Sequence, residues 1–273
     1  MNNHYGKLGD VWKHLPLAEL LRTNPPRHYW ETHAGSAVYP LTDGEPHQHG
    51  VLRFLKYAPA EPVLQECVYL KILHSKPGFY PGSPLFATEM LGHNASYIFC
   101  DLDPESIATL QDATHNLDAQ VVAADGVSTI AQAAEQSQCN PMDVLIHIDP
   151  FEPRARLTPS SMTPLELAGW LTNSGYRVFY WYGYDTPDRR CWAYHEIMEH
   201  APTAEMWCGD TLIPASFVYP GRSGAWGCGV VLTNTSSIEV DACRQLGYAL
   251  ERICASDYAR DNEPSKLIFQ EIP

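Results

Sequence analysis

Several features are missing from this sequence, and each absence excludes something. No window approaches 18 uninterrupted apolar residues, so no membrane-spanning helix is expected. The opening stretch MNNHYGKLGDVWKH has no apolar core of the kind a secretory leader needs, and the expectation is a cytoplasmic protein. Eight cysteines are scattered with no C-x-x-C pair, a spacing that reads as reduced, buried thiols. Twelve histidines include no H-E-x-x-H, and no metal site is expected. Positive charge is scarce: 18 Lys and Arg stand against 32 Asp and Glu, a net −14. Nucleic-acid binding draws most of its affinity from basic residues that neutralise phosphates, and the overall field here repels a polyanion. Only a local patch, around Arg53, Lys56, Lys71 and Lys76, would offset it.

What is present is a run of α/β alternation. Residues 27–39 give a short apolar strand and a small-residue turn. Residues 40–80 break the pattern: helical periodicity in two short pieces, divided by prolines, with no strand, reads as an inserted helical subdomain. Residues 81–91 read as a turn feeding a helix, with Ser83 near the N-cap and Pro84 in its first turn. Strands are then expected over 95–103, 119–126, 142–150 and 176–184, with helices between them from 104, after 126 and over 163–174. Continuous hydrophobicity in these strands argues for a parallel sheet covered on both faces. The last third reads as a helix over 190–201, strands over 204–210, 215–220 and 225–235, and a closing helix over 239–255. The expectation is one domain over 1–273, doubly wound, with an antiparallel edge and a helical insert over 40–80.

In open α/β sheets the ligand lies beyond the carboxyl ends of the strands, near a topological switch point. Four expected strand ends carry polar residues: Glu31 and His33, then Asp101, Asp125 and Asp149. An acidic residue ending the second strand suits ribose hydroxyls, and ADG ending the third suits an adenine amino group. A dinucleotide site would want G-x-G-x-x-G at the first turn. The turn here, THAGSAVY, has the single glycine Gly35. S-adenosylmethionine (SAM) carries no phosphates and needs only close backbone approach, so it fits better than NAD.

GDVWKH (9–14), ETHAGSAVY (31–39), FYPGSPLFA (79–87), DLDPES (101–106), AADG (123–126) and LIHIDPFE (145–152) resemble, in order and spacing, the RlmJ family of SAM-dependent methyltransferases. Those enzymes act on an adenine N6 amino group of large-subunit ribosomal RNA. The resemblance covers roughly residues 4–185, insert included, and is loose over the last ninety. It implies a Rossmann-like class I SAM-dependent methyltransferase sheet with a small helical insertion after the first strand. By position, Lys13 and His14 would lie in an N-terminal segment closing over cofactor and target. His33 and Gly35 would line the methionine end of SAM, Ser83 would contact the cofactor, Asp101 would hold the ribose and Asp125 would face the adenine. Asp149, with Lys13, would carry catalysis at the acceptor amine. His4, Tyr5, Pro150, Phe151 and Glu152 would lie on the acceptor side. Plainer roles compete: Lys13 and His14 on a solvated helix face, Ser83 as a helix cap, His33 as a turn histidine.

One departure bears on the acceptor. Amino-methyltransferases of this kind typically show Asp or Asn, two prolines and an aromatic ring; the side chain and the first proline carbonyl accept hydrogen bonds from the target amine. Asp149 and Pro150 keep that pair, but Phe151 replaces the second proline and Glu152 stands where a base-stacking ring belongs. Ala37 also stands where glycine is usual. Three readings follow: methyl transfer to a small amine-bearing molecule, adenine methylation in ribosomal RNA, or a SAM-binding protein without transfer activity.

Overall fold

The computed structural model describes residues 5–213, 226–255 and 267–272. Helix α1 (Leu8–Thr23) precedes β1 (His28–Glu31) and β2 (Val38–Pro40). Four short helices follow: α2 (Glu45–His49), α3 (Val51–Tyr57), α4 (Pro62–Gln65) and α5 (Val68–Ser75). Next come β3 (Phe79–Pro81), α6 (Ser83–Leu91), β4 (Ser96–Asp101), α7 (Pro104–Thr114), β5 (Ala119–Ala123), α8 (Gly126–Gln136) and β6 (Val144–Ile148). Helix α9 (Pro164–Asn173), β7 (Arg177–Tyr184), α10 (Trp192–His200), β8 (Met206–Ile213), β9 (Trp226–Thr233), α11 (Ser237–Ala255) and β10 (Ile268–Ile272) complete the order.

The strands lie in the order β10-β8-β9-β7-β6-β1-β4-β5. From β5 to β7 all pairings are parallel; β9 joins β7 antiparallel, and β8 and β10 continue antiparallel. Chain order therefore reverses at β1, which has β4 on one side and β6 on the other. All five residues of β6, VLIHI, are buried, as a strand covered on both faces requires. Alternation sends Leu145 and Phe179 into the core under α1 and α11, and Ile146, Ile148, Val178 and Tyr180 into the core under α9 and α10. A buried ion pair ties the two ends of the chain to the sheet: Arg177 Nη2 lies 2.5 Å from Glu239 Oε1, and Arg177 Nη1 donates to the Asn24 carbonyl at 3.1 Å.

Local signals explain most helix starts. Thr163 and Glu166 form a reciprocal capping box around Pro164 at the start of α9. Asp103 caps α7 before Pro104. Other expectations are corrected. Residues 38–40 and 79–81 form a two-stranded antiparallel ribbon, β2 with β3, so strand structure does occur at the border of the insert. The insert holds four α-helices rather than two helical pieces. The sequence gives no sign of strand β10, a short strand paired, among the described residues, with β8 alone. The strand expected over 215–220 lies outside the described residues. Lys13 and His14 do not lie on a solvated face: every residue from Leu8 to Leu21 is buried, because α1 is covered by α11, α6, α5 and β9. No helix of the described residues is long and apolar enough to cross a membrane.

Candidate active site

The carboxyl ends of β1, β4, β5 and β6 converge where the strand order reverses. Their convergence is visible in the field at His33: Asp149, Asp101, Asp125 and Glu31 all favour its protonated form, yet burial outweighs them and lowers its pKa.

At the centre is an ion pair between a helix and a strand end. Lys13 Nζ, on α1, donates to Asp149 Oδ2 at 2.6 Å and lies 3.1 Å from Asp10 Oδ1. The indole of Trp181, on β7 one residue past the partner of Ile148, faces the same ammonium at 5.6 Å. Burial disfavours the Lys13 ammonium, but the two carboxylates more than offset it and push its pKa above the lysine range. Burial likewise raises Asp149, and Lys13, His147 and His33 reverse the sign, holding its carboxyl below the ordinary carboxylate value. Asp149 is thus ionised with one oxygen already engaged. Pro150 is buried after it, while Phe151 and Glu152 are exposed, Phe151 at 84%.

Beneath this lies a buried polar cluster. His147 Nδ1 is 2.8 Å from Glu31 Oε1, and Tyr29 Oη donates to Glu31 Oε2 at 3.2 Å. Ser83 Oγ donates to the same Glu31 at 2.5 Å. Ser83 is therefore not a helix cap: Gly82 holds that position, and the Ser83 hydroxyl turns inward. Glu31 is fully buried among these donors, a role its position at a strand end does not reveal. His14 Nδ1 is 2.7 Å from Tyr80 Oη, and the Nε2 atoms of His14 and His147 are buried with no hydrogen-bond partner among the described residues.

The loop after β1 is packed to the limit of backbone contact. A Cβ on Gly126 would fall 1.8 Å from the Thr32 carbonyl oxygen, one on Gly82 2.2 Å from that of Ser36, and Gly35 (φ +64°) would bring a Cβ 2.5 Å from Tyr39 Oη. Asp101 stitches this loop: Oδ2 accepts from Gly35 N at 2.7 Å and Oδ1 from Asp103 N at 2.8 Å. Asp125 caps α8, accepting from Ser128 N at 2.8 Å. Tyr5 stacks on Tyr39 at 4.5 Å, which sets the N-terminal segment over the same loop. His4 lies outside the described residues.

Sequence reading missed Asp10 and Trp181. Asp10 sits in GDVWKH one helical turn before Lys13, and Trp181 belongs to the aromatic run FYWYGY; both signals were in view without a partner to interpret them. Of the four basic residues around the insert, Arg53 is buried over Tyr57, Lys56 is exposed with its ammonium 4.7 Å from the same ring, and Lys71 and Lys76 pair with Glu66 and Glu89 at 3.2 and 2.6 Å.

A pH dependence of stability follows from His14. Burial first, then the neighbouring Lys13 and His147 charges, hold its pKa well below the ordinary value. The unfolded chain takes up a proton near pH 6.5, whereas the folded state keeps the ring neutral. Stability present above that pH is therefore lost as pH falls through it, at up to about 1.4 kcal/mol per pH unit for one such group. Denaturation midpoints should drop between about pH 7 and 5, and His14→Gln should flatten the slope; an unchanged slope in the variant would remove His14 as its source.

No family model matches the sequence, and no curated protein does. Solved structures do match. A Legionella pneumophila protein described under the family model DUF519 superposes with a TM-score of 0.72 over 98% of each chain, at 21% identity. A SAM-dependent methyltransferase from Agrobacterium tumefaciens gives 0.43 at 10% identity, over 82% of this chain and 61% of that one. A spermidine synthase from Thermotoga maritima gives 0.41 at 13% identity, over 87% of this chain and 62% of that one. The likeness is one of fold. The mixed eight-stranded sheet with its flanking helices, its order reversing at β1, is a doubly wound, Rossmann-like sheet.

Proposed function

We propose that the chain is a SAM-dependent methyltransferase that methylates the amino group of a small molecule. The observation that carries this reading is the Lys13–Asp149 pair at the carboxyl end of β6, beside the switch point at β1. When bound, SAM supplies an electrophilic methyl group on a sulfonium and leaves as S-adenosylhomocysteine.

The residues suit such a cofactor. It is cationic at sulfur, and Asp101, Asp125 and Asp149 favour a cation where they would repel a pyrophosphate. The oxygens of Asp101 each accept one backbone N–H, and each keeps a second acceptor direction for a ribose hydroxyl. His33, Gly35, Ser83 and the unpartnered Nε2 of His14 are assigned to the methionine end, and Asp125 to the adenine. On the acceptor side, Lys13 fixes one oxygen of Asp149. The other oxygen and the Pro150 carbonyl accept the hydrogens of the acceptor amine, which turns its lone pair toward the methyl group; this is catalysis by orientation. Tyr5 and the exposed Phe151 and Glu152 flank the entrance.

Ribosomal RNA, the substrate the RlmJ resemblance implies, is the second reading. The exposed Phe151 ring beside Asp149 favours it, since a base could stack there. The net −14 and the partnered basic residues of the insert weigh against it. Transfer from methyl-labelled SAM to a panel of small amines and to ribosomal RNA fragments separates the two. We expect label in the amine panel and no salt-sensitive RNA binding near physiological salt; tight, salt-sensitive binding with label in adenine would favour the second reading. Asp101→Ala should weaken SAM binding by about 1.5–3 kcal/mol, through lost charged hydrogen bonds. Calorimetry showing unchanged affinity would take Asp101 out of the site.

A further inference from the structure

The Lys13 ammonium has two carboxylate neighbours, and the function above uses only one. We propose that Asp10 is a positioning residue for methyl transfer: it braces Lys13, and through Lys13 it fixes the orientation of Asp149. The proposal rests on the methyltransferase reading.

Asp10 faces two ways. Its Oδ2 accepts from the backbone N–H of Lys7 at 3.3 Å, closing the first turn of α1, and its Oδ1 lies 3.1 Å from Lys13 Nζ. Lys13 in turn reaches Asp149 at 2.6 Å. A lysine held by one carboxylate keeps the freedom of a four-carbon stem. Two carboxylates, at 2.6 and 3.1 Å, and the Trp181 indole at 5.6 Å all hold this ammonium, so less of that freedom remains at its contact with Asp149 Oδ2.

The chain of contacts also runs outward. Lys7 follows Gly6, whose carbonyl accepts from Val51 N at 2.9 Å, and Tyr5 stacks on Tyr39 in the loop after β1. Seating of the N-terminal segment on the insert and on that loop is thereby linked, through Asp10 and Lys13, to the carboxylate that meets the acceptor.

Asp10 is poorly placed if capping were its only task. An exposed carboxylate would cap α1 as well. Asp10 is instead 9% exposed, and burial, with the nearby Asp149 charge, raises its pKa against the pull of Lys13. The folded state holds this charge at a cost, which a purely structural role does not require.

The test is the native reactivity of Lys13, read by acetic anhydride labelling and mass spectrometry of the peptide carrying it. Parent, Asp10→Asn and Asp10→Glu proteins are compared, with denaturation midpoints alongside. Asp10→Asn should be labelled about tenfold faster, since losing one opposite charge within 4 Å lowers an amine pKa by roughly one unit. Its midpoint should equal or exceed the parent's, and Asp10→Glu should restore protection. Labelling at the parent rate, or faster labelling only together with a lowered midpoint, overturns the proposal. Labelling needs neither cofactor nor acceptor, so its outcome is separate from SAM binding, on which the methyltransferase reading stands or falls.

Discussion

Asp149→Ala is expected to lower methyl transfer in the amine panel by about a hundredfold or more, because misplacing a reacting group by about 1 Å has that effect. SAM affinity should stay within about tenfold, or 1.4 kcal/mol, since the role assigned to Asp149 is to orient the acceptor. The variant leaves Lys13 buried with Asp10 as its only carboxylate partner of the two, so the denaturation midpoint is followed as a control. Asp149→Asn is the sharper probe. It keeps an oxygen acceptor, so orientation alone predicts partial activity, whereas a general base cannot be replaced by an amide. Asp149→Asn would then be as inactive as Asp149→Ala. Parent-rate transfer by both variants would make Asp149 merely the end of a strand.

The second large effect is expected at Gly126. A Cβ there would lie 1.8 Å from the Thr32 carbonyl oxygen and 2.5 Å from its carbon, both backbone atoms that cannot swing aside. Gly126→Ala must therefore push the loop after β1 away from the start of α8, at about 3 kcal/mol or more of stability. SAM affinity should fall with it, because Gly35 belongs to the same packed loop and donates to Asp101 at the end of β4. Gly78→Ala is the control: its Cβ meets nothing within 4 Å, and only its φ of +82° resists, for about 1–2 kcal/mol. Denaturant titration of the two variants checks this. Equal losses would mean that the Thr32 loop is not seated against α8.

These two residues also mark how far the sequence could be read. Asp149 was legible because an apolar run such as VLIHI, ending in Asp-Pro, states both burial and its end in local chemistry. The parallel strands β4 to β7 and the helices between them were legible for the same reason, each carrying its own caps and periodicity. Contacts made at long range were not. Lys13 and Asp149 are 136 positions apart, and nothing in GDVWKH says that its lysine enters the core to meet a carboxylate. The inward turn of Ser83 depends on Glu31, 52 positions earlier, while its local sequence, Gly-Ser-Pro, suggests an ordinary helix start. Helix α1 was illegible as a buried element because it carries Asp10, Lys13, His14 and Glu19, and the partners of Lys13 and His14, Asp149 and Tyr80, lie far along the chain. Strand β10 is short, and what holds it, pairing with β8 and the seating of Phe269 against Trp12 and Tyr248, comes from elsewhere in the chain.

SAM is expected to bind at the switch point, beyond the carboxyl ends of β1, β4, β5 and β6. The most direct test is calorimetric titration of the full chain with SAM, followed by competition with S-adenosylhomocysteine and with NAD. One site per chain is expected, with a Kd on the order of micromolar to tens of micromolar, equivalent to about −8 to −6 kcal/mol, displaced by S-adenosylhomocysteine and untouched by NAD. No binding of SAM at about millimolar concentration, where even −4 kcal/mol would register, would contradict it.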